Sequence, residues 1–293
     1  MPAASARAIA SLKEQGYTCV DLHVHTSVSK DAFCSVDGLL RRAKELGIGL
    51  AILDHNEIAA AVEACKNKLG VPVIPGIEVK AFNGVDISVL FYKVEDLIAY
   101  YERCIVPRKE RNSFVLDITV EEIVAGARAF PCVIIAPHPF APRFIGLAGV
   151  IERGVVDPAL LGQIDCIEIR NGAMTVKQNA HAAAWAVTHH KRIAGGSDAH
   201  IPWHFGRILS CLRVRPGEHP LDALKRKDAH VVHFPEWFRL AALVFALGQC
   251  KLLLRKNGWF LLRTHLSVCL SLKTRTATAV YHPAPAYSFV ERP

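Results

Sequence analysis

The sequence predicts an α/β protein built on a parallel sheet or a closed barrel. Short apolar runs of strand length alternate with helical patterns over some 200 of the 293 residues. Hydrophobic residues make up 51% of the chain, which is enough for a full core and excludes a disordered protein. No apolar run reaches the ~18 residues of a membrane-spanning helix, so no stable membrane insertion is expected.

The elements are predicted in chain order from the periodicity of apolar residues. Strands are predicted over residues 19–23, 48–53, 71–74, 86–92, 132–136, 165–169 and 192–195. Helices are predicted within residues 1–17 and over 36–46, 57–69, 94–105, 120–130, 176–190, 221–227 and 235–256. Gly47 ends the second of these helices, and Thr119 with Glu122 three residues later begins the fifth as a capping box.

The basic charge of the chain is concentrated at its C-terminal end. The net charge is +8, and residues 225–293 hold 11 Lys and Arg against 3 Asp and Glu, whereas residues 1–224 hold 24 of each. Such an end indicates an anionic partner, RNA or an acidic membrane surface, or else a solvated helix without a partner. We predict a barrel domain over residues 1–234 and a basic helical extension with a loose tail over 235–293.

The cysteines and the N-terminal segment indicate a cytoplasmic protein. Nine cysteines are scattered along the chain without a Cys-x-x-Cys pair, which favours reduced thiols. Residues 1–17 lack the apolar core of a signal peptide.

Histidines and carboxylates stand where the predicted strands end. They are accompanied by an arginine and an asparagine, and the set comprises His23, His25, Asp54, His55, Glu78, His138, Arg170, Asn171, Asp198 and His200. One His-x-His or Asp-x-His motif arises easily by chance among 14 histidines, but five motifs at five strand ends do not. Because the C-terminal ends of barrel strands meet at one mouth, we expect one shared site.

The residue types at these strand ends indicate metal-dependent chemistry. Neutral imidazoles and carboxylates together bind Zn²⁺, Mn²⁺ or Fe²⁺, and the absence of cysteine from the motifs argues against a structural thiolate site. Two or more such ions activate water and stabilise the oxygens of a phosphoryl group. The pattern therefore predicts a hydrolytic site with more than one metal ion.

The motifs resemble those of the PHP (polymerase and histidinol phosphatase) superfamily. In chain order they are DLHVHT at 21–26, LDH at 53–55, PGIEV at 75–79, PHPF at 137–140, IEIRNG at 167–172 and GSDAH at 196–200. The resemblance implies a distorted (β/α)7 TIM-like barrel with two or three divalent ions (Mn²⁺, Zn²⁺ or Fe²⁺). It is strongest to stand-alone bacterial PHP phosphoesterases, which include enzymes acting on nucleoside 3',5'-bisphosphates and on the 5' ends of short RNA.

The resemblance also implies roles for single residues. The implied metal ligands are His23, His25, Asp31, His55, Glu78, His138, Asp198 and His200. The first ion would take His23, His25, Glu78 and Asp198. Glu78 would bridge to a second ion held by His138. Asp31, in the SVSKDA stretch, would complete a third site with His55 and His200.

One position departs from the family pattern. Members usually carry a histidine on the fourth strand, but this chain has none between His55 and His138. Ser88 stands near the expected position, and Asp86 lies two residues earlier on the same strand face. Three alternatives follow: Asp86 substitutes, water fills the position, or the second ion binds weakly. Asp54 is expected to orient His55 or to support the site.

These features together predict a metal-dependent phosphoesterase. We expect it to hydrolyse phosphate monoesters of a small substrate, a nucleotide or short RNA, by a metal-bound hydroxide. Arg143, Arg170 and Arg207 flank the motifs and are candidates to bind the phosphate. Asp198 and His200 are candidates to transfer a proton.

Two other functions stay open at this point. One is a histidinol-phosphate-type phosphatase, which would need an acidic group to meet the substrate ammonium. The other is a degenerate metal-binding module without catalysis, which the missing fourth-strand histidine favours. The sequence leaves the oligomeric state open.

Overall fold

The computed structural model describes residues 3–109, 115–141, 146–226 and 229–234. The C-terminal extension predicted over residues 235–293 lies outside the described residues, as does Arg143. The division of the chain near residue 234 therefore stays a prediction.

The helices of the described residues agree with most of the predicted ones. They are α1 (Ala3–Glu14), α2 (Val36–Leu46), α3 (Ala59–Cys65), α4 (Val94–Tyr100), α5 (Val120–Ala127), α6 (Leu147–Glu152), α7 (Val176–Thr188) and α8 (Pro220–Lys225). Helix α2 has the predicted bounds, because the Ser35 hydroxyl accepts a hydrogen bond from the Gly38 N–H and Gly47 ends the helix at φ 64°. The predicted capping box of Thr119 and Glu122 begins α5. Helix α6 was not predicted.

The strands include two that the sequence did not predict. They are β1 (Thr18–Val24), β2 (Gly49–Ile52), β3 (Val73–Lys80), β4 (Asp86–Phe91), β5 (Cys132–Ala136), β6 (Cys166–Asn171), β7 (Arg192–Gly196), β8 (Ile208–Leu212) and β9 (Ala229–His233). The prediction that the third strand ends at residue 74 was wrong, because β3 continues through Pro75 and Gly76. A Cβ at Gly76 would lie 2.5 Å from Leu53 Cδ2 and 2.8 Å from Leu90 Cδ2, so the glycine allows close packing inside the sheet.

The sheet curls into a nearly closed barrel. Strands β1, β2 and β3 are parallel, β4 is antiparallel to both of its neighbours, and β5, β6 and β7 are parallel again. The ends meet where Asp198 N–H donates to His23 O (2.8 Å) and His25 N–H donates to Ala199 O (3.1 Å). The hairpin of β8 and β9 pairs with the first half of β1.

The α/β barrel class is thus confirmed, but strict (β/α)7 alternation is not. A turn through Gly84 (φ 83°) joins β3 to the antiparallel β4 without an intervening helix. This hairpin is the distortion of the barrel.

The barrel interior is apolar at one end and polar at the other. Ile74 on β3 and Leu90 on β4 belong to the inner apolar cluster. Because side chains alternate along a strand, Glu78 on β3 and Ser88 on β4 face the same interior, nearer the C-terminal ends of the parallel strands. In the part of the chain that the structure describes, no helix has the length and hydropathy needed to cross a membrane.

Candidate metal centre

The barrel brings the predicted metal ligands together at the polar end of its interior. His23 lies in β1 and Glu78 in β3, while His25, His55, His138, Asp198 and His200 follow the ends of parallel strands. Asp31 lies in the loop between β1 and α2.

Glu78 occupies the middle of this cluster. Its side chain is fully buried, and imidazoles surround its two oxygens. Oε1 lies 3.4 Å from His23 Nε2 and 3.2 Å from His138 Nε2. Oε2 lies 3.4 Å from His25 Nε2 and 3.0 Å from His55 Nδ1. One carboxylate therefore contacts four imidazoles, which is the arrangement that a bridging ligand needs.

Asp198 faces Glu78 across His23 and His25. Its Oδ1 lies 3.6 Å from His23 Nε2 and 3.1 Å from His25 Nε2. It also lies 3.4 Å from His200 Nδ1. The structure thus assembles the four predicted ligands of the first ion.

The predicted third set also assembles. Asp31 Oδ2 lies 3.7 Å from His55 Nε2 and 3.5 Å from His200 Nε2. His25 lies beside both imidazoles, with ring centroids 4.6 Å from His55 and 4.4 Å from His200. The His25, His55 and His200 nitrogens could hold one ion, since they lie within 4.8 Å of one another.

These residues fit divalent cations. The Nε2 atoms of His23 and His25 face each other at 3.1 Å, amid carboxylate oxygens. Asp31 Oδ1 and Asp86 Oδ1 are buried and accept no hydrogen bond from the described residues. A cation satisfies such a convergence of ring nitrogens and carboxylate oxygens, and these donors suit Mn²⁺, Zn²⁺ or Fe²⁺.

Comparison with known proteins finds a family match over part of the chain. Residues 21–128 match the model of the PHP domain.

Proteins similar to this chain include a bacterial protein and two solved structures. The chain is 28% identical over 218 residues to probable phosphatase YcdX of Escherichia coli O127:H6, a match that covers 67% of this chain and 84% of the relative. A two-domain protein from Bacteroides vulgatus, containing a predicted PHP-like metal-dependent phosphoesterase, superposes with a TM-score of 0.53 at 16% identity over 74% of this chain. The lesion-specific endonuclease PfuEndoQ from Pyrococcus furiosus superposes with a TM-score of 0.57 at 20% identity over 72% of this chain. The two structural matches cover 66% and 56% of those chains, and at such identities they show the fold alone.

The charges within the site shift the pKa values of its histidines in opposite directions. Burial lowers the pKa of His25 to about 4, and the neighbouring His200 adds to this effect. Burial also disfavours the charged form of His138 and His200, but Glu78 and Asp31 outweigh it. The pKa of His138 is raised to about 9 and that of His200 to about 10. At neutral pH the metal-free site thus holds protons that an ion has to displace.

Glu168 is a supporting residue that the sequence analysis did not single out. Its Oε1 lies 3.0 Å from His23 Nδ1, and its Oε2 accepts hydrogen bonds from His138 N–H (2.8 Å) and Asn171 Nδ2 (2.9 Å). Since Nδ1 of His23 meets Glu168, Nε2 faces the cluster. The signal was present in the IEIRNG motif, where Glu168 lies two residues before Arg170.

Asp54 supports the site through a serine rather than by holding the His55 ring. Its oxygens accept hydrogen bonds from Thr26 N–H (2.6 Å) and from Ser29 Oγ (2.7 Å). Ser29 Oγ in turn lies 3.3 Å from His25 Nδ1 and accepts from His55 N–H (3.1 Å). The supporting role is the second of the two roles expected for Asp54.

The backbone is in the left-handed region at two site residues and at Asn56, which follows His55. The φ angles are 56° at Asn56, 28° at His138 and 51° at Asp198. None of these residues is glycine, so each conformation carries a steric cost that the surrounding structure balances.

The fourth strand carries a lysine–aspartate pair near the missing histidine. Ser88 lies directly opposite Glu78, and its buried Oγ makes no hydrogen bond with the described residues. Asp86 lies opposite Lys80, whose ammonium donates to Asp86 Oδ2. Burial disfavours the charge of Lys80, but Asp86 and Glu78 outweigh it and raise the pKa of the ammonium. The sequence analysis considered Asp86 and missed Lys80.

The two described candidate arginines contact residues outside the predicted ligand set. Arg170 Nη2 lies 3.3 Å from His233 Nδ1, and Arg207 Nε donates to Trp203 O at 2.7 Å. Their binding of a phosphate stays a prediction.

Proposed function

We propose that this chain is a metal-dependent phosphoesterase that hydrolyses phosphate monoesters of nucleotides, with nucleoside 3',5'-bisphosphates or the 5' ends of short RNA as substrates. The observation that carries the proposal is the set of four imidazoles around the buried carboxylate of Glu78. The matched relative YcdX is named a probable phosphatase.

Each part of the cluster has a proposed role. His23, His25, Glu78 and Asp198 would hold one divalent ion, and His138 would share Glu78 with a second. Bound ions lower the pKa of water and neutralise charge on phosphoryl oxygens. The chain orients His23 through Glu168 and His25 through Ser29, so the ligand nitrogens are positioned before an ion arrives.

Proton transfer is assigned to the pair of Asp198 and His200. The imidazole Nδ1 of His200 lies 3.4 Å from Asp198 Oδ1 and 3.0 Å from the Asp198 carbonyl oxygen. Both residues are largely buried, so a proton held between them is shielded from bulk water. The pair would donate it to the leaving oxygen.

Two exposed aromatic residues support a nucleotide substrate. Phe33 is 45% exposed, and its N–H donates to the carbonyl oxygen of His200 at 2.8 Å. Trp203 follows His200 by three residues and is 51% exposed. Aromatic side chains at the edge of such a site offer faces on which a nucleobase stacks.

The test is phosphate release from adenosine 3',5'-bisphosphate in Mn²⁺. We expect release that a chelator abolishes, and loss of release in Asp198→Ala with the circular dichroism spectrum retained. The exposed Asp37→Ala is the matched control and should keep full activity. Full activity in Asp198→Ala would contradict the mechanism.

The same assay with histidinol phosphate separates the substrate classes. Faster release from histidinol phosphate than from the bisphosphate would favour the histidinol-phosphate-type alternative. A degenerate module remains the second candidate, because Ser88 replaces the fourth-strand histidine. Bound metal without release from any monoester would favour it.

A further inference from the structure

A buried lysine lies within the proposed metal centre. Lys80 is 4% exposed and follows Glu78 by two residues on β3, so both side chains face the barrel interior. Its partner Asp86 is 3% exposed and lies directly opposite on β4. The β3–β4 hairpin thus places an ammonium beside the central carboxylate of the cluster.

Asp86 connects this ammonium to the ligand cluster. Its Oδ2 accepts the hydrogen bond from Lys80, while Oδ1 lies 3.9 Å from His55 Nδ1. Asp86 Oδ1 is buried and accepts no hydrogen bond from any residue that the structure describes. The atoms that His55, Glu78 and Asp86 offer lie within 4.8 Å of one another, close enough to hold one ion. Lys80 therefore contacts the same Asp86 carboxylate that could bind a metal ion together with His55 and Glu78.

The charge in the centre balances with two divalent ions. Five carboxylates lie against the histidine ring nitrogens of the cluster: Asp31, Glu78, Asp86, Glu168 and Asp198. Asp54 is not counted with them, because its oxygens accept hydrogen bonds from Thr26 and Ser29. Two divalent ions and the Lys80 ammonium together carry a charge equal and opposite to that of these carboxylates. A third divalent ion would leave an excess of positive charge in a buried site, next to a fixed ammonium.

We propose that the Lys80 ammonium takes the place of the metal ion that His55, Glu78 and Asp86 could otherwise hold. This centre then binds two divalent ions rather than three. The inference rests on the metal site of the proposed function. Ser88 agrees with it, because its hydroxyl supplies no imidazole where a further ligand would be needed. The three alternatives considered for the fourth strand did not include this one, in which Lys80 neutralises Asp86.

The test is the metal content of the full chain, saturated with Mn²⁺, desalted and measured by mass spectrometry. We expect two ions per chain in the wild type and in Lys80→Arg, which keeps the positive charge. We expect three in Lys80→Met, because Asp86 is then available together with His55. The double variant Lys80→Met with Asp86→Asn should return to two. Lys109→Met, which removes a partly buried lysine paired with Glu57, is the matched control and should keep two.

Two results would overturn the inference: three ions in the wild type, or two in a Lys80→Met variant that still melts cooperatively. If Lys80→Met does not fold, the wild-type and Lys80→Arg stoichiometries still decide. Two bound ions without phosphate release would contradict the proposed function and leave this inference standing. Three bound ions with phosphate release would contradict this inference and leave the proposed function standing.

Discussion

At the residue scale, Glu168 determines which nitrogen of His23 faces the cluster, and it is 3% exposed. Glu168→Gln keeps the size of the side chain but replaces one acceptor oxygen by an NH₂ group, which accepts no hydrogen bond. The variant therefore cannot accept hydrogen bonds from His23 Nδ1, the His138 backbone N–H and Asn171 Nδ2 all at once. We expect the Mn²⁺ affinity to fall about 10–100-fold, as for other residues that orient a metal ligand. Titration calorimetry measures this. The exposed Glu45→Gln is the control, and equal affinities in both variants would refute the role.

The same scale shows which site residues a sequence reveals. His23, His25 and Asp198 belong to paired motifs that chance does not explain, so they could be predicted as ligands. Glu168 and Lys80 lie within strands, where a charged residue usually faces solvent. Only the barrel closure shows that both face inward, because closure decides which side of each strand is the interior.

At the scale of the element, the close approach of β7 to β1 depends on glycine at position 196. A Cβ at Gly196 would lie 2.3 Å from His23 Cβ and 2.6 Å from His23 N, a backbone atom. We expect Gly196→Ala to separate the strands, to lower the unfolding free energy by about 1–3 kcal/mol and to weaken Mn²⁺ binding. Urea unfolding and calorimetry measure both effects. At Gly162 a Cβ would meet no atom within 4 Å, so Gly162→Ala should change neither.

The elements also differ in how well local chemistry defines them. Helix α2 was predicted to the residue because Ser35 and Gly47 mark its ends. Strand β3 was shortened because Pro75 and Gly76 usually mark a break, yet here tertiary packing accommodates both. Strand β9 was missed because only Ala229 of its five residues is buried. Local sequence preferences therefore predict the ends of helices better than they predict strands, which depend on pairing with neighbouring strands.

At the scale of the whole molecule, metal loading and pH should act on stability together. The pKa values of His138 (about 9) and His200 (about 10) exceed the unfolded value of 6.5 in the metal-free protein. Their contribution to folding is thus fully present below pH 6.5 and is lost as pH rises through 9 to 10. Only the neutral imidazole binds a metal ion, so the affinity for divalent ions rises as the pH rises.

We therefore expect the melting temperature in chelator to fall between pH 7 and 10. With Mn²⁺ in excess the protein should be more stable at every pH, and the stabilisation by metal should grow over this range. Thermal unfolding with and without metal at pH 7, 8, 9 and 10 measures both. Parallel curves would show that metal binding and these protons are not linked.

The left-handed backbone at Asp198 has a consequence for engineering this protein. A residue with a Cβ is disfavoured at φ 51°, whereas glycine adopts that conformation readily. Asp198→Gly would relieve this strain while removing the carboxylate that faces His23 and His25. Selection of variants for thermal stability alone would therefore favour inactive proteins. Selection for a more stable enzyme has to measure turnover as well.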